Sequence, residues 1–197
     1  MSHHVYKTEG LIISSHPSGE SNKFYYIFTR DLGLVFASAQ GVRKLQSKLR
    51  YSLQDFSFAQ ISLVRGKNMW KITNAVYEKN FYQLFKESDA KIFVCSQIFS
   101  LIKKLLAGEE KNEILFDIVK SSLRFLEESE LNSDEIKNFE CIAVLKILHN
   151  LGYLGESDSL KKFIEEQVWS LELISAMMDS KKEAIFNINK SIKETQL

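Results

Sequence analysis

A short basic segment is the part of the sequence whose residue types and spacing suit a recognisable kind of chemistry. It runs from Gly41 to Arg50 and contains four positive charges and no negative charge. The cations are Arg43, Lys44, Lys48 and Arg50. Clustered cations can each meet a phosphate and release a condensed counterion, so the segment is typical of a surface that follows a nucleic-acid backbone. A solvated loop that binds nothing is the alternative interpretation.

A second group of cations follows further along the chain. Arg65, Lys67 and Lys71 are accompanied by one acid, Asp55. If both groups lie in loops on one side of a barrel, they form a groove of positive potential. The aromatic candidates for stacking on bases are Trp70, Tyr25, Tyr51 and Phe36. Packing of Trp70 inside the barrel is the alternative, because a strand tryptophan in a small barrel usually points inward.

The charges are distributed unevenly between the two halves of the chain. Residues 1–80 hold 11 Lys and Arg against 5 Asp and Glu, and residues 81–197 hold 15 against 20. The first part therefore carries a net charge of +6 and the second −5, although the whole chain is close to neutral at +1. This asymmetry predicts that the first part, and not the second, meets phosphates.

Motifs for catalysis are missing from the sequence. It contains no phosphate-binding glycine loop, no dinucleotide fingerprint, no zinc-protease helix and no nucleophile elbow. A thiol nucleophile at Cys95 with His149 as its base is the weakest alternative, because nothing in the sequence orients the pair. We therefore expect a protein that is not an enzyme.

The two cysteines, Cys95 and Cys141, lie far apart in apolar stretches. We expect buried thiols, with no disulfide, no metal site and no cofactor. No apolar run approaches the length of a membrane span, and the first residues lack the features of a signal peptide. The expected location is the cytoplasm.

The residue pattern from 5 to 76 has the period of β-strands. Five runs are rich in aromatic and β-branched residues: Leu11–Ser14, Lys23–Thr29, Leu34–Ala39, Phe56–Val64 and Met69–Val76. The segment His16–Gly19 after the first run contains the one proline and is expected to form a turn. Alternation in the second run places Phe24, Tyr26 and Phe28 on one face. In the fourth run the alternation of apolar residues changes phase between Phe58 and Ile61, as the extra residue of a β-bulge would produce. Five short strands predict a small barrel of the OB type.

After residue 80 the apolar residues recur at helical spacing. Asn132 with Glu135 predicts a helix N-terminus with a capping box, and Ser180 with Glu183 predicts another. The residues from 157 to about 193 are expected to form two or three shorter helices. The predicted fold is therefore α+β, with an N-terminal five-stranded OB-fold β-barrel over residues 1–80 and an all-helical domain over 81–197.

Several segments resemble the bacterial recombination mediator RecO family. They are Lys7–Ile13, Phe28–Val35, Gly41–Lys44 with Lys48–Arg50, Leu53–Phe56, Arg65–Lys67 with Trp70, and Leu148–Leu154 in the helical half. The resemblance is specific over residues 5–80, thin from 81 to 140 and suggestive again near 145–155. After Leu154 the sequence departs from the family, because the four zinc-binding cysteines of many members are absent.

The resemblance implies an OB-fold that binds single- and double-stranded DNA, followed by a helical domain. Family members anneal complementary strands, bind the acidic tail of the single-stranded DNA-binding protein, and work with RecR to load RecA. The DNA-contacting loop of the family maps onto Arg43, Lys44, Lys48 and Arg50. Without the cysteines we expect folding without zinc, and we expect a monomer that does not bind membranes.

An acidic tail that ends in an apolar residue needs a cation beside an apolar surface. Lys120 and Arg124, four residues apart on one helix face, are the candidates for this contact, with ordinary surface charge as the alternative. Two other functions stay open: a general OB-fold module that binds single-stranded DNA or RNA, and a protein-interaction adapter that works through the acidic helical half.

Overall fold

The computed structural model describes residues 4–155 and 157–194 and shows an α+β fold. The strands are β1 (Val5–Ser18), β2 (Asn22–Thr29), β3 (Gly33–Ala39), β4 (Ser57–Arg65) and β5 (Trp70–Asn80). The helices are α1 (Leu49–Ser52), α2 (Phe81–Phe85), α3 (Asp89–Leu105), α4 (Glu113–Glu128), α5 (Ser133–Asn150), α6 (Asp158–Glu165) and α7 (Leu171–Glu194). The predicted order of five strands followed by a helical part is confirmed.

The five strands form a barrel in which β1 is the central strand and β3 and β5 close the sheet. The first half of β1 is antiparallel to β4 and its second half is antiparallel to β2. A short parallel pairing between β3 and β5 completes the order β1-β2-β3-β5-β4, which closes on itself. β1 can take both roles because it is 14 residues long and contains an extra residue, Ile13, where its register on β2 shifts.

The interior of the barrel is filled by the side chains that alternate inward along each strand. Apolar and aromatic residues dominate it, and the largest from the strands are Tyr25, Trp70, Ile12, Ile27, Ile61, Leu63 and Ile72. Tyr25 is 1% exposed and Trp70 is 4% exposed. Burial raises the pKa of the Tyr25 phenol, and the charge of Asp55 adds to the shift.

The phase change that the sequence shows in β4 has a different origin from the predicted one. The pairing of β4 with β5 does shift after Phe58, but the extra residue, Glu78, belongs to β5. A second shift follows between Ser62 and Leu63. β4 itself alternates regularly, with Ala59, Ile61 and Leu63 in the barrel core, while Phe58 is buried on the other face of the strand. The phase change in the sequence therefore reflects burial on both faces of β4.

The helices confirm one predicted cap and contradict the other. The side chain of Asn132 accepts hydrogen bonds from the N–H groups of Asp134 and Glu135, and Glu135 accepts one from the N–H of Asn132. The predicted cap at Ser180 is wrong, because α7 runs without a break over 24 residues. Glu183 instead accepts hydrogen bonds from hydroxyl groups that precede and begin α6.

The chain divides into two compact units that alternate along the sequence. The barrel unit comprises the described residues up to Glu87 together with Phe99–Glu113. The helical unit comprises Ser88–Ile98 and the described residues from Ile114 onward. In the barrel unit, the backbone of Glu110 approaches Gly33 so closely that a Cβ at Gly33 would meet it. The domain boundary at residue 80 stays a prediction.

Candidate nucleic-acid interface

The basic loop, residues 41–50, is held in place by apolar anchors in the barrel. Val42 near its start is 2% exposed, and Leu53 just after it is 1% exposed. Both belong to the barrel core. The four cations between these anchors are exposed: Arg43, Lys44, Lys48 and Arg50. The loop therefore presents its charges to solvent on a fixed base, since its apolar residues cannot leave the core without losing their burial.

Hydrogen bonds also fix the start of the basic loop to the turn between β1 and β2. The backbone N–H of Gly41 donates to Asn22 Oδ1 at 2.8 Å. The backbone N–H of Arg43 donates to the carbonyl of Ser21 at 2.9 Å, and its Nη1 donates to the carbonyl of Gly19 at 3.0 Å. Among the described residues, no carboxylate forms an ion pair with any of the four cations. Their charges are available to a ligand.

In the second group of candidates, Arg65 and Trp70 already contact other residues of the protein. Arg65 forms an ion pair with Glu109, and its guanidinium lies 4.9 Å from the centroid of the Trp70 ring. Trp70 is buried and makes an edge contact with Tyr6 at 5.1 Å. The suggestion that Trp70 stacks on bases is therefore wrong, because its ring packs inside the barrel. Tyr25 fails as a stacking candidate for the same reason.

The grouping of the two sets of cations on one side of the barrel stays a prediction. β3 and β5 run parallel, with Ala37 beside Trp70 and Ser38 beside Lys71. The basic loop follows the end of β3, whereas the turn that contains Lys67 precedes the start of β5. Only the end of β3 pairs with the start of β5, so both connections adjoin the same short parallel pairing. Lys67 and Lys71 are both exposed, and Lys71 is the second residue of β5, paired with Ser38.

The outer face of β1, β2 and β3 carries an aromatic cluster that the sequence showed only in part. Alternation along β2 placed Phe24 and Tyr26 on one face, and Phe36 was a stacking candidate. The structure brings them together, with the Phe36 ring centroid 5.3 Å from that of Phe24 and 5.0 Å from that of Tyr26. His16 completes the cluster, 5.5 Å from Phe24. The sequence assigned His16 to a turn because β1 is longer than its apolar run.

The candidates for a partner contact lie on α4. Arg124 Nε donates to Glu128 Oε1 at 2.7 Å, and this carboxylate raises the pKa of the guanidinium. Lys120 is partly buried on the same helix. An acidic ligand at Arg124 would have to compete with Glu128, which is exposed enough for the ion pair to be weak.

The helical unit also contains a cavity of about 820 Å³ around a buried lysine, which the sequence did not reveal. Lys146 Nζ donates to the backbone carbonyls of Ile164 and Glu166 and lies 5.5 Å from the Trp169 ring centroid. Burial lowers its pKa. His149 lines the same cavity near the end of α5. Since both carbonyls already accept from the amine, the described contacts give Lys146 a structural role.

Both cysteines lie inside the protein. Cys95 and Cys141 are free and buried, and burial raises the pKa of both thiols. In the part of the chain that the structure describes, no three His, Cys, Asp or Glu side chains are grouped as metal ligands would be. Within residues 4–155 and 157–194, no helix combines the length and apolar character needed to cross a membrane.

Two models of one protein family match the sequence. The model "Recombination protein O N terminal" matches residues 1–81, and "Recombination protein O C terminal" matches residues 90–159. The first match covers the strands and the basic loop. The second covers most of α3 and continues through α4 and α5 into the start of α6.

Curated relatives agree with these matches. The chain is 31% identical over 154 residues to the DNA repair protein RecO of Caldanaerobacter subterraneus subsp. tengcongensis, covering 78% of this chain and 60% of the relative. It is 31% identical over 150 residues to the DNA repair protein RecO of Clostridium novyi, and this match covers 76% of the chain and 57% of the relative. It is 25% identical over 130 residues to the DNA repair protein RecO of Alkaliphilus metalliredigens, and this match covers 66% of the chain and 52% of the relative. The chain thus spans about half to three fifths of the length of these relatives.

The anchoring of the basic loop can be tested by a matched pair of leucines. Leu53→Ala should lower the free energy of unfolding by roughly 2–5 kcal/mol, because it removes a buried side chain and leaves a cavity. Leu45→Ala, at a position that is 88% exposed in the same loop, should change it by less than about 0.5 kcal/mol. Urea unfolding measures both. Equal effects of the two substitutions would show that Leu53 does not anchor the loop.

Proposed function

Because the chain belongs to the RecO family, we propose that it is a DNA-binding protein of DNA repair whose basic loop binds the phosphate backbone. The observation that carries this proposal is the set of four exposed cations on an anchored loop, with no ion-pair partner among the described residues. A rigid base lowers the entropy lost when the cations meet phosphates. Because no described carboxylate pairs with these cations, a phosphate would displace no internal partner.

The cations of the two groups are proposed to contribute unequally. Arg65 already pairs with Glu109, so a phosphate would have to displace a carboxylate there. Lys67 and Lys71 are exposed and can add contacts along the backbone. The four cations of the basic loop are therefore proposed as the main backbone contacts, and Lys67 and Lys71 as secondary ones.

The finer parts of the proposal follow from the family resemblance. The protein would anneal complementary strands and assist RecA loading together with RecR, as a cytoplasmic protein without enzymatic activity. Annealing separates this function from that of a general OB-fold module that only binds single-stranded DNA or RNA. An annealing assay with complementary oligonucleotides, run beside a binding titration, therefore decides between the two. Binding without any acceleration of annealing would favour the general module.

Substitution of the four loop cations tests the backbone contacts. Changing Arg43, Lys44, Lys48 and Arg50 together to Ala should weaken binding of a single-stranded oligonucleotide. The slope of log K against log salt should flatten by about three, since each phosphate contact on a single strand contributes roughly 0.7. A fluorescence titration at several salt concentrations measures both quantities. Stability should hardly change, because exposed charges contribute little to folding.

The matched control removes the same number of charges from the helical unit. Lys161, Lys162, Lys182 and Lys190 are exposed on α6 and α7. Their joint change to Ala alters the net charge equally but should leave the salt slope unchanged. If the loop variant is folded and binds like the unaltered protein, the loop is not the site. If both variants weaken binding equally, attraction by net charge alone explains the binding.

The proposed partner contact is the acidic tail of the single-stranded DNA-binding protein, at Lys120 and Arg124. Arg124 supports it because the side chain is exposed and its ion pair with Glu128 lies at the surface. Arg124→Glu should weaken binding of a tail peptide by roughly tenfold, as loss of a charged hydrogen bond does. Arg43→Glu makes the same charge change outside this site and serves as the control. Equal peptide affinity for the unaltered and Arg124→Glu proteins in calorimetry would exclude this contact.

A further inference from the structure

We propose that four aromatic side chains on the outer face of the barrel stack against unpaired bases of single-stranded nucleic acid. They are His16, Phe24, Tyr26 and Phe36, called the aromatic platform below. The inference rests on the proposed nucleic-acid binding function and deepens it. It adds an element that distinguishes single strands from duplexes, which a loop of cations cannot do alone.

The strand register places the platform on the outside of the barrel. His16 pairs with Phe24, Phe24 pairs with Ser38, and Ser38 pairs with Lys71. These four positions form a row across β1, β2, β3 and β5. Tyr25, the residue after Phe24, points into the core, so the alternation of a strand turns this row outward.

The next outward row brings the remaining two rings beside the first. Tyr26 pairs with Phe36, two residues along from Phe24 and Ser38. The Phe36 centroid lies within 5.0 to 6.0 Å of the other three, and its plane is 20° from that of His16. The rings thus make a continuous patch and not isolated surface residues.

The rings of this patch remain partly open to solvent. His16 is exposed, and the side chains of Phe24, Tyr26 and Phe36 are each only partly buried. Aromatic rings gain most when both faces are covered, so a patch with open ring surface suits a flat apolar ligand. A nucleic-acid base has this shape, and every base offers a face for stacking.

Cations lie beside the platform where the phosphates of a stacked strand would pass. Lys71 ends the row that contains His16 and Phe24. Lys103 Nζ lies 4.3 Å from the Tyr26 ring centroid and 3.1 Å from Ser14 Oγ. The basic loop begins at Gly41, two residues after Ala39, which pairs with the neighbour of Phe24. The charge around the rings is therefore positive, which favours a polyanion over an uncharged or basic peptide.

The platform should act only on unpaired bases. In a duplex the base faces are already stacked on each other, so rings on a protein surface cannot reach them without unstacking. The cations of the basic loop meet phosphates in either form. Rings and cations therefore have separable effects: the rings set the preference for single strands, and the cations set the affinity for any backbone.

The test compares three probes of equal length: an oligothymidylate, an abasic oligonucleotide with the same backbone, and a duplex. Phe24→Leu/Phe36→Leu removes two rings but keeps apolar volume. It should weaken binding of the oligothymidylate by roughly 5- to 100-fold, as loss of base stacking does. Its affinity for the abasic strand and the duplex should not change. Tyr82→Leu, which removes a ring that is 48% exposed on α2, is the matched control and should bind all three normally.

Each outcome separates the platform from the basic loop. If the double variant binds the oligothymidylate normally while the loop variant does not, the platform is wrong and the proposed function stands. If the double variant weakens binding of all three probes equally, the loss does not come from stacking on unpaired bases, and the inference is overturned. Circular dichroism checks folding, and His16→Ala, at an exposed position, gives a second variant if the first is unstable. Failure of the unaltered protein to bind any probe would contradict the proposed function itself.

Discussion

The double pairing of β1 is the constraint on which the rest of the barrel unit depends. Because β1 bonds to β4 with its first half and to β2 with its second, β5 and β3 become the two edges of the sheet. Their parallel pairing closes the sheet, so its interior must be filled. Strand residues alone do not fill it, and Val42 and Leu53 from the connection between β3 and β4 belong to the same core. The loop between these two residues is therefore fixed to the barrel. Its cations are exposed as a consequence of that anchoring.

The positive charges of the barrel unit fall into two physical classes. Arg65 is satisfied within the protein by Glu109 and by the face of Trp70. The cations of the basic loop have no carboxylate partner among the described residues, so they keep their full attraction for phosphate. The amino-acid composition counts all of these cations as equal positive charges. The contacts that each side chain makes in the structure show which of them already has a partner. The aromatic rings divide in a similar way, with Tyr25 and Trp70 in the core and Phe36 on the surface.

The sequence predicted the fold class and the exposed loop, because both depend on local patterns. Alternation identified five strands, and a run of cations without acids identified the loop. It could not place Trp70 relative to the surface with certainty, since that depends on which strand pairs beside it. It could not show the parallel pairing of β3 with β5, because that pairing joins residues more than 30 positions apart. His16 was assigned to a turn because the polar end of β1 has no apolar alternation.

Chemical labelling of lysines tests most directly whether the basic loop meets the nucleic acid. The reactivity of each lysine is measured by mass spectrometry with and without a saturating single-stranded oligonucleotide. Lys44 and Lys48 should become protected, whereas Lys182 and Lys190 on α7 should react equally in both samples. Unchanged labelling of Lys44 and Lys48 in the fully bound protein would contradict the assignment of the basic loop as the binding site.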